Sequence, residues 1–167
     1  MVSLQEKLTE LATELNVPGV VAGIVIGNKT EIAAHGVTNL DHPLAVDEST
    51  LFQFGSTGKT LTATALMVLA EKGLVDLEAP VRTYLPELTL TDEDVAAKVT
   101  VLQLLNHTAG WMGDVFEDTG DGDDALEKYV ANMANIEQVT ALGETVSYNN
   151  ASLALAGHVI ARAMGTT

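Results

Sequence analysis

Ser56 and Lys59 stand three residues apart in the run Leu51-Phe52-Gln53-Phe54-Gly55-Ser56-Thr57-Gly58-Lys59-Thr60, where an apolar extended segment gives way to an apolar helix. Residues i and i+3 of a helix share a face about one turn apart, which puts the lysine amine within reach of the serine hydroxyl. A serine hydroxyl is a weak nucleophile at neutral pH and needs a base beside it. A lysine is such a base when burial or a neighbouring positive charge lowers its pKa toward about 7. A serine in the first turn also lies among backbone N–H groups with no helical acceptor, which suits a developing oxyanion. The pattern S-x-x-K is short, and by itself it also occurs by chance.

Tyr148-Asn149-Asn150 is the second candidate constellation. Tyr148 and Asn150 are two apart where a loop enters a helix, so both can face one cleft. A phenol can relay a proton when cationic neighbours lower its pKa, and an amide can bind a substrate carbonyl or orient the lysine. The same three residues also read as a packed tyrosine beside an N-cap asparagine.

Other patterns carry less. Gly55-Ser56-Thr57-Gly58-Lys59-Thr60 looks like a phosphate-binding loop, but the glycine that G-x-x-x-x-G-K-[ST] requires five residues before Gly58 is Gln53. Asp114, Glu117, Asp118, Asp121, Asp123 and Asp124 lack the order of a calcium loop and read as a solvated acidic loop. The histidines show no ligand spacing, and His107 reads as a structural hydrogen-bonding residue. Trp111 either lines a cleft or packs. Neither a metal nor a cofactor is implied.

These residues must be positioned by a chain of 167 residues, one domain or part of a larger one. Eight basic against 23 acidic residues leave a net charge of −15, which argues against nucleic acid and anionic membranes as partners. Cysteine is absent, so disulfides, thiolate metal sites and cysteine nucleophiles are excluded. No basic-then-apolar leader opens the chain, and no apolar run reaches the roughly 18 residues of a membrane span. The expected location is cytoplasmic, or periplasmic or secreted if a leader has been removed.

The capping box Ser3-x-x-Glu6 and the leucines that follow predict a helix over 3–15. Residues 20–26 and 30–35, joined at Gly27-Asn28, predict a β-hairpin. A short strand is expected at 50–54. A helix apolar nearly all round, as a central buried helix would be, is expected over 56–72. Turns with a short helix follow over 74–88, and the box Thr100-x-x-Gln103 opens a short helix ending near His107. Helices over 125–135, capped by Asp124, and over 151–164, ended by Gly165, complete the prediction.

Taken together, the segments resemble the serine β-lactamase and penicillin-binding-protein superfamily. Within it they resemble the class C β-lactamase-like branch, which also holds D,D-peptidases, D-aminopeptidases and family VIII-type esterases. The resemblance runs over nearly the whole chain. It is carried by Val17-Pro18-Gly19, by Thr50 through Lys59, by Glu71-Lys72-Gly73-Leu74-Val75-Asp76-Leu77 and Tyr84-Leu85-Pro86-Glu87-Leu88, by Leu104-Leu105-Asn106-His107-Thr108-Ala109-Gly110 against an "LLxHTSG" stretch with alanine in place of serine, and by Tyr148-Asn149-Asn150 against Y-x-N.

The resemblance implies an α+β fold of β-lactamase/transpeptidase type, an antiparallel sheet flanked by a mainly helical region. It implies that Ser56 is acylated, that Lys59 and Tyr148 share the proton transfers, and that Asn150 contacts both the substrate amide and Lys59. It implies that the Ser56 N–H is one oxyanion donor. From the residues alone, Trp111 is a further substrate-contacting candidate in its cleft-lining reading. The substrate would be a β-lactam, a D-amino-acid peptide or a small ester; the alternative is a non-catalytic sensor, binding module or inactive fragment of the same fold. Members of this branch are longer and carry further strands and a K-T-G or H-x-G motif after the region matched here. The expectation is therefore that residues 1–167 form the N-terminal part of one such domain, with helix and first strands over 3–55 and the mainly helical region over 56–167. A complementary C-terminal segment or chain is the expected partner.

Overall fold

The computed structural model describes residues 2–166, which fall into two compact units, Met1–Gln53 and Phe54–Thr167. The first opens with helix α1, Leu4–Glu14, close to the expected span. Ser3 accepts the Glu6 amide while the Glu6 carboxylate accepts the Ser3 amide, a reciprocal cap. Strands β1, Gly19–Ile26, and β2, Lys29–Gly36, form the expected hairpin, with Ile26 opposite Lys29 across Gly27-Asn28. Helix α1 packs on β2. The Gln5 side chain bonds both the carbonyl (2.9 Å) and the amide (3.2 Å) of Ala34, closing part of that sheet edge. Ile24, Val25 and Ile26 are successive and all exposed, so the end of β1 is bare on both faces.

Residues 50–54 do not form the expected strand. A strand exists only with a partner for its backbone groups, and among the described residues the sheet contains β1 and β2 alone.

The second unit is helical. A 3₁₀ turn, Gly55–Thr57, leads into α2, Gly58–Glu71. It is followed by α3, Glu93–Lys98, α4, Val101–Leu105, α5, Ala125–Asn132, and α6, Asn150–Met164. Helix α6 packs against α2, α4 and α5. Leu66, Leu85, Leu104, Leu155 and Val159 lie in its core. Thr100 and Gln103 form the anticipated capping box of α4. Asp124 makes no side-chain cap on α5 and instead pairs with Lys128 at 2.8 Å.

Two further expectations are corrected. Helix α2 is not buried all round: Leu66 and Leu69 face the core, while Leu61 is 62% and Met67 54% exposed. Its composition is apolar, but α6 covers one side of it. Helix α3 was not anticipated, because six residues are too few to display a period; its one local signal is Asp92, which accepts the Val95 amide. Among the described residues no helix is long and apolar enough to cross a membrane.

Candidate active site

Gly55 has φ +53°, a left-handed conformation that turns the chain sharply just before Ser56. Ser56 then occupies the first turn and Lys59 the next, and the predicted reach is realised: Lys59 Nζ lies 3.1 Å from Ser56 Oγ. Ser56 is exposed, while Lys59 is partly covered.

The opposite wall comes from the entrance to α6. Tyr148 Oη is 2.5 Å from Ser56 Oγ across 92 residues of sequence. Asn150 Oδ1 accepts from Lys59 Nζ at 2.6 Å. Between them Asn149 points inward and is 1% exposed. As N-cap of α6 its Oδ1 accepts the Ser152 amide at 2.7 Å and the Trp111 indole N–H at 3.2 Å. Its Nδ2 donates to the Trp111 carbonyl at 2.8 Å. This buried, satisfied amide anchors Tyr148 and Asn150 on either side.

The segment 107–113 supports the same wall. His107 Nδ1 accepts the Asn149 amide at 3.2 Å, and its carbonyl accepts the Ser147 amide at 2.9 Å. The His107 ring lies against Tyr148 with centroids 5.0 Å apart. The Gly113 carbonyl accepts the Asn150 and Ala151 amides at 3.0 and 3.2 Å. A Cβ on Gly113 would stand 2.6 Å from the Tyr148 carbonyl oxygen, so only glycine permits this approach.

The electrostatics follow from Lys59. Its amine lies 4.7 Å from the centre of the Tyr148 ring. Lys59, then the hydrogen bond to Ser56, hold the Tyr148 phenol below its ordinary value, with Asp114 pulling weakly the other way. Burial, and then the charge of Lys59, hold His107 below the usual histidine range. A histidine that accepts an amide N–H on Nδ1 is neutral with its proton on Nε2.

Ser56, Lys59, Tyr148 and Asn150 are thus brought together. The serine proton has two neighbours to receive it, and whichever of amine or phenol is unprotonated can take it. Trp111 is placed otherwise: it is 2% exposed and braces Asn149, so it packs rather than presenting its ring to the cleft. The large indole found an interior partner for its N–H, which removes the need for solvent. Asp114 is exposed, as expected of a solvated loop, and also accepts from Asn150 Nδ2 at 2.8 Å. Asn149 was legible as an N-cap but not as the buried anchor. Among the described residues no group of three or more histidine or acidic side chains is arranged to hold a metal ion.

A sequence model of the Beta-lactamase family matches residues 4–167. Penicillin-binding protein 4 of Amycolatopsis lactamdurans is 35% identical over 156 residues, covering 93% of this chain and 41% of that protein. A beta-lactamase of Pseudomonas fluorescens is 28% identical over 155 residues, covering 93% and 42%. The crystal structure of a class C beta lactamase from Rhodobacter sphaeroides is similar with a TM-score of 0.71 and 28% identity, over 95% of this chain and 43% of that one. The chain spans about two fifths of the length of these relatives.

Proposed function

Because the chain belongs to the beta-lactamase family and has, over its length, the fold of a class C member, we propose that it provides the nucleophile half of a serine hydrolase that works through an acyl-enzyme. One observation carries this reading: Ser56 Oγ stands 3.1 Å from Lys59 Nζ and 2.5 Å from Tyr148 Oη. Ser56 Oγ adds to the carbonyl carbon of the substrate while its proton passes to the unprotonated member of the Lys59–Tyr148 pair. The carbonyl oxygen becomes an oxyanion, for which the Ser56 backbone N–H is a donor. The bond to the leaving nitrogen or oxygen breaks, and that atom takes a proton back from the pair. Water then adds to the ester at Ser56 by the same proton route and frees the acid.

The substrate class is a β-lactam, a D-amino-acid peptide or a small ester. A second reading, acylation without turnover in a binding or sensing role, is supported by the relative named a penicillin-binding protein. A complementary C-terminal segment or chain belongs to the proposal in either case. Its support is the bare end of β1, where Val25 and Ile26 are 70% and 75% exposed.

The test is an intact-mass spectrum after exposure to a fluorophosphonate, followed by assays with a β-lactam, a D-alanyl-D-alanine peptide and a nitrophenyl ester. A single adduct on Ser56, absent from Ser56→Ala, supports the nucleophile. A fluorophosphonate adduct that persists in Ser56→Ala overturns the assignment. A stable β-lactam adduct without product selects the binding role.

A further inference from the structure

We infer that Asp114 is a positioning residue: its carboxylate fixes the orientation of the Asn150 amide and thereby aims Asn150 Oδ1 at Lys59. The argument starts from donor and acceptor capacity. A side-chain amide has one accepting and one donating end, and a half-turn about its terminal bond exchanges them. An ionised carboxylate only accepts, and a lysine ammonium only donates. Asn150 lies between the two, with Nδ2 donating to Asp114 Oδ1 at 2.8 Å and Oδ1 accepting from Lys59 Nζ at 2.6 Å. Both partners demand the same orientation. The reversed amide would set two acceptors face to face at Asp114 and two donors at Lys59.

Asp114 is itself held in place by the chain. The preceding carbonyl, that of Gly113, accepts the Asn150 and Ala151 amides, so the main chain beside Asp114 is clamped to the first turn of α6. Three other acidic residues of the loop are engaged elsewhere: Glu117 accepts from Asn132, Asp118 from the Gly120 amide, and Asp124 pairs with Lys128. Asp114 is exposed, so replacing it leaves no cavity in the core. Hydrogen bonds to charged groups are the stronger class, and carboxylate, amide and ammonium in series polarise one another.

The activity part of this inference rests on the acyl-transfer reading proposed above; the geometric part does not. Two variants of the full chain separate hydrogen bonding from charge. Asp114→Asn keeps an accepting oxygen, and Asp114→Leu removes it. The first measurement is the pair of Asn150 Nδ2 proton resonances in a ¹H–¹⁵N spectrum. In the parent protein one of the pair is shifted downfield by the carboxylate; in D114L that shift is lost, and in D114N most of it returns. The second is the rate of fluorophosphonate labelling, expected to fall about 10- to 100-fold in D114L and to recover to within about threefold in D114N. Unchanged Asn150 resonances in D114L overturn the inference whatever the labelling does. A labelling rate in D114N as low as in D114L overturns it in favour of a charge effect. If the parent protein forms no adduct, the acyl-transfer reading fails while the resonances still decide the role of Asp114.

Discussion

Lys59 Nζ meets Asn150 Oδ1 at 2.6 Å although 91 positions separate the two residues in the chain. The contact joins the first turn of α2, which directly follows the 3₁₀ turn that carries the serine, to the first residue of α6. It also fixes where the amine stands: one of its protons is committed to Asn150, and another face is turned to Ser56 Oγ at 3.1 Å.

Removing the amine should therefore disable the serine without unfolding the chain. Lys59→Met is expected to lower fluorophosphonate labelling by several orders of magnitude, on the scale of losing one member of a coupled catalytic unit. The melting temperature should change little, since Lys59 is only partly covered. Labelling of Lys59→Met at the parent rate would remove the lysine from the mechanism.

The pH dependence of labelling reports the phenol. An acid whose pKa is lowered ionises at lower pH than usual, so the form that can accept the serine proton becomes populated as pH rises through that lowered value. Tyr148 is shifted in this direction, chiefly by Lys59 and then by Ser56. The labelling rate should rise with pH along a limb centred below the ordinary phenol value of about 10. Tyr148→Phe should lose that limb and about 100-fold or more in rate. A Tyr148→Phe profile identical in shape to the parent would assign the limb to another group.

Stability should fall in mild acid. His107 and His158 are both held below the usual histidine value, each first by burial, then by Lys59 and Arg162 respectively. The unfolded chain therefore binds protons at these sites before the folded chain does. Stability from this source is complete above the ordinary value of about 6.5 and is lost as pH falls from there through the lower folded values. At His107 the geometry acts in the same direction as burial and Lys59, since a proton on Nδ1 would confront the Asn149 amide N–H. Melting temperatures measured between about pH 7.5 and pH 5 should decline, and the decline should flatten in the His107→Gln, His158→Gln double variant. An equal slope in both proteins would show that other groups control it.

The wall that carries Tyr148 should be sensitive at Gly113. Gly113→Ala places a methyl group against the Tyr148 carbonyl, and overpacking of this kind costs about 1–3 kcal/mol. Because the clash is with Tyr148 and Asn149, labelling should fall as well as the melting temperature. A variant that loses stability but labels normally would show that the wall yields without moving Tyr148.

Trp111 offers a contrasting case in the same layer. Trp111→Phe removes the indole N–H while Asn149 Oδ1 keeps the Ser152 amide, so about 1 kcal/mol is expected. Trp111→Ala also empties a buried volume and should cost about 3–5 kcal/mol. Thermal unfolding of the pair separates the hydrogen bond from the packing. Equal losses would mean that packing of the ring contributes nothing.

Features that close within a few residues were readable from the sequence alone. The Ser56–Lys59 pair depends only on helical spacing, the caps at Ser3 and Thr100 on a side chain reaching three residues ahead, and the hairpin on an apolar, β-branched run that turns at Gly27-Asn28. Their geometry is local, and backbone sterics nearly determine it. What the tertiary structure decided is everything that required two distant segments to meet. Tyr148 reaches Ser56 across 92 residues and Asp114 reaches Asn150 across 36, through the packing of α6 on its neighbours rather than through any period in the chain. The same reason accounts for the failures. Residues 50–54 are strand-like in composition but have no partner, α2 is apolar but covered on one side, and Trp111 and Asn149 are polar-edged side chains that found each other in the interior. Composition sets what a residue can do; which neighbour arrives to satisfy it is settled only when the helices pack.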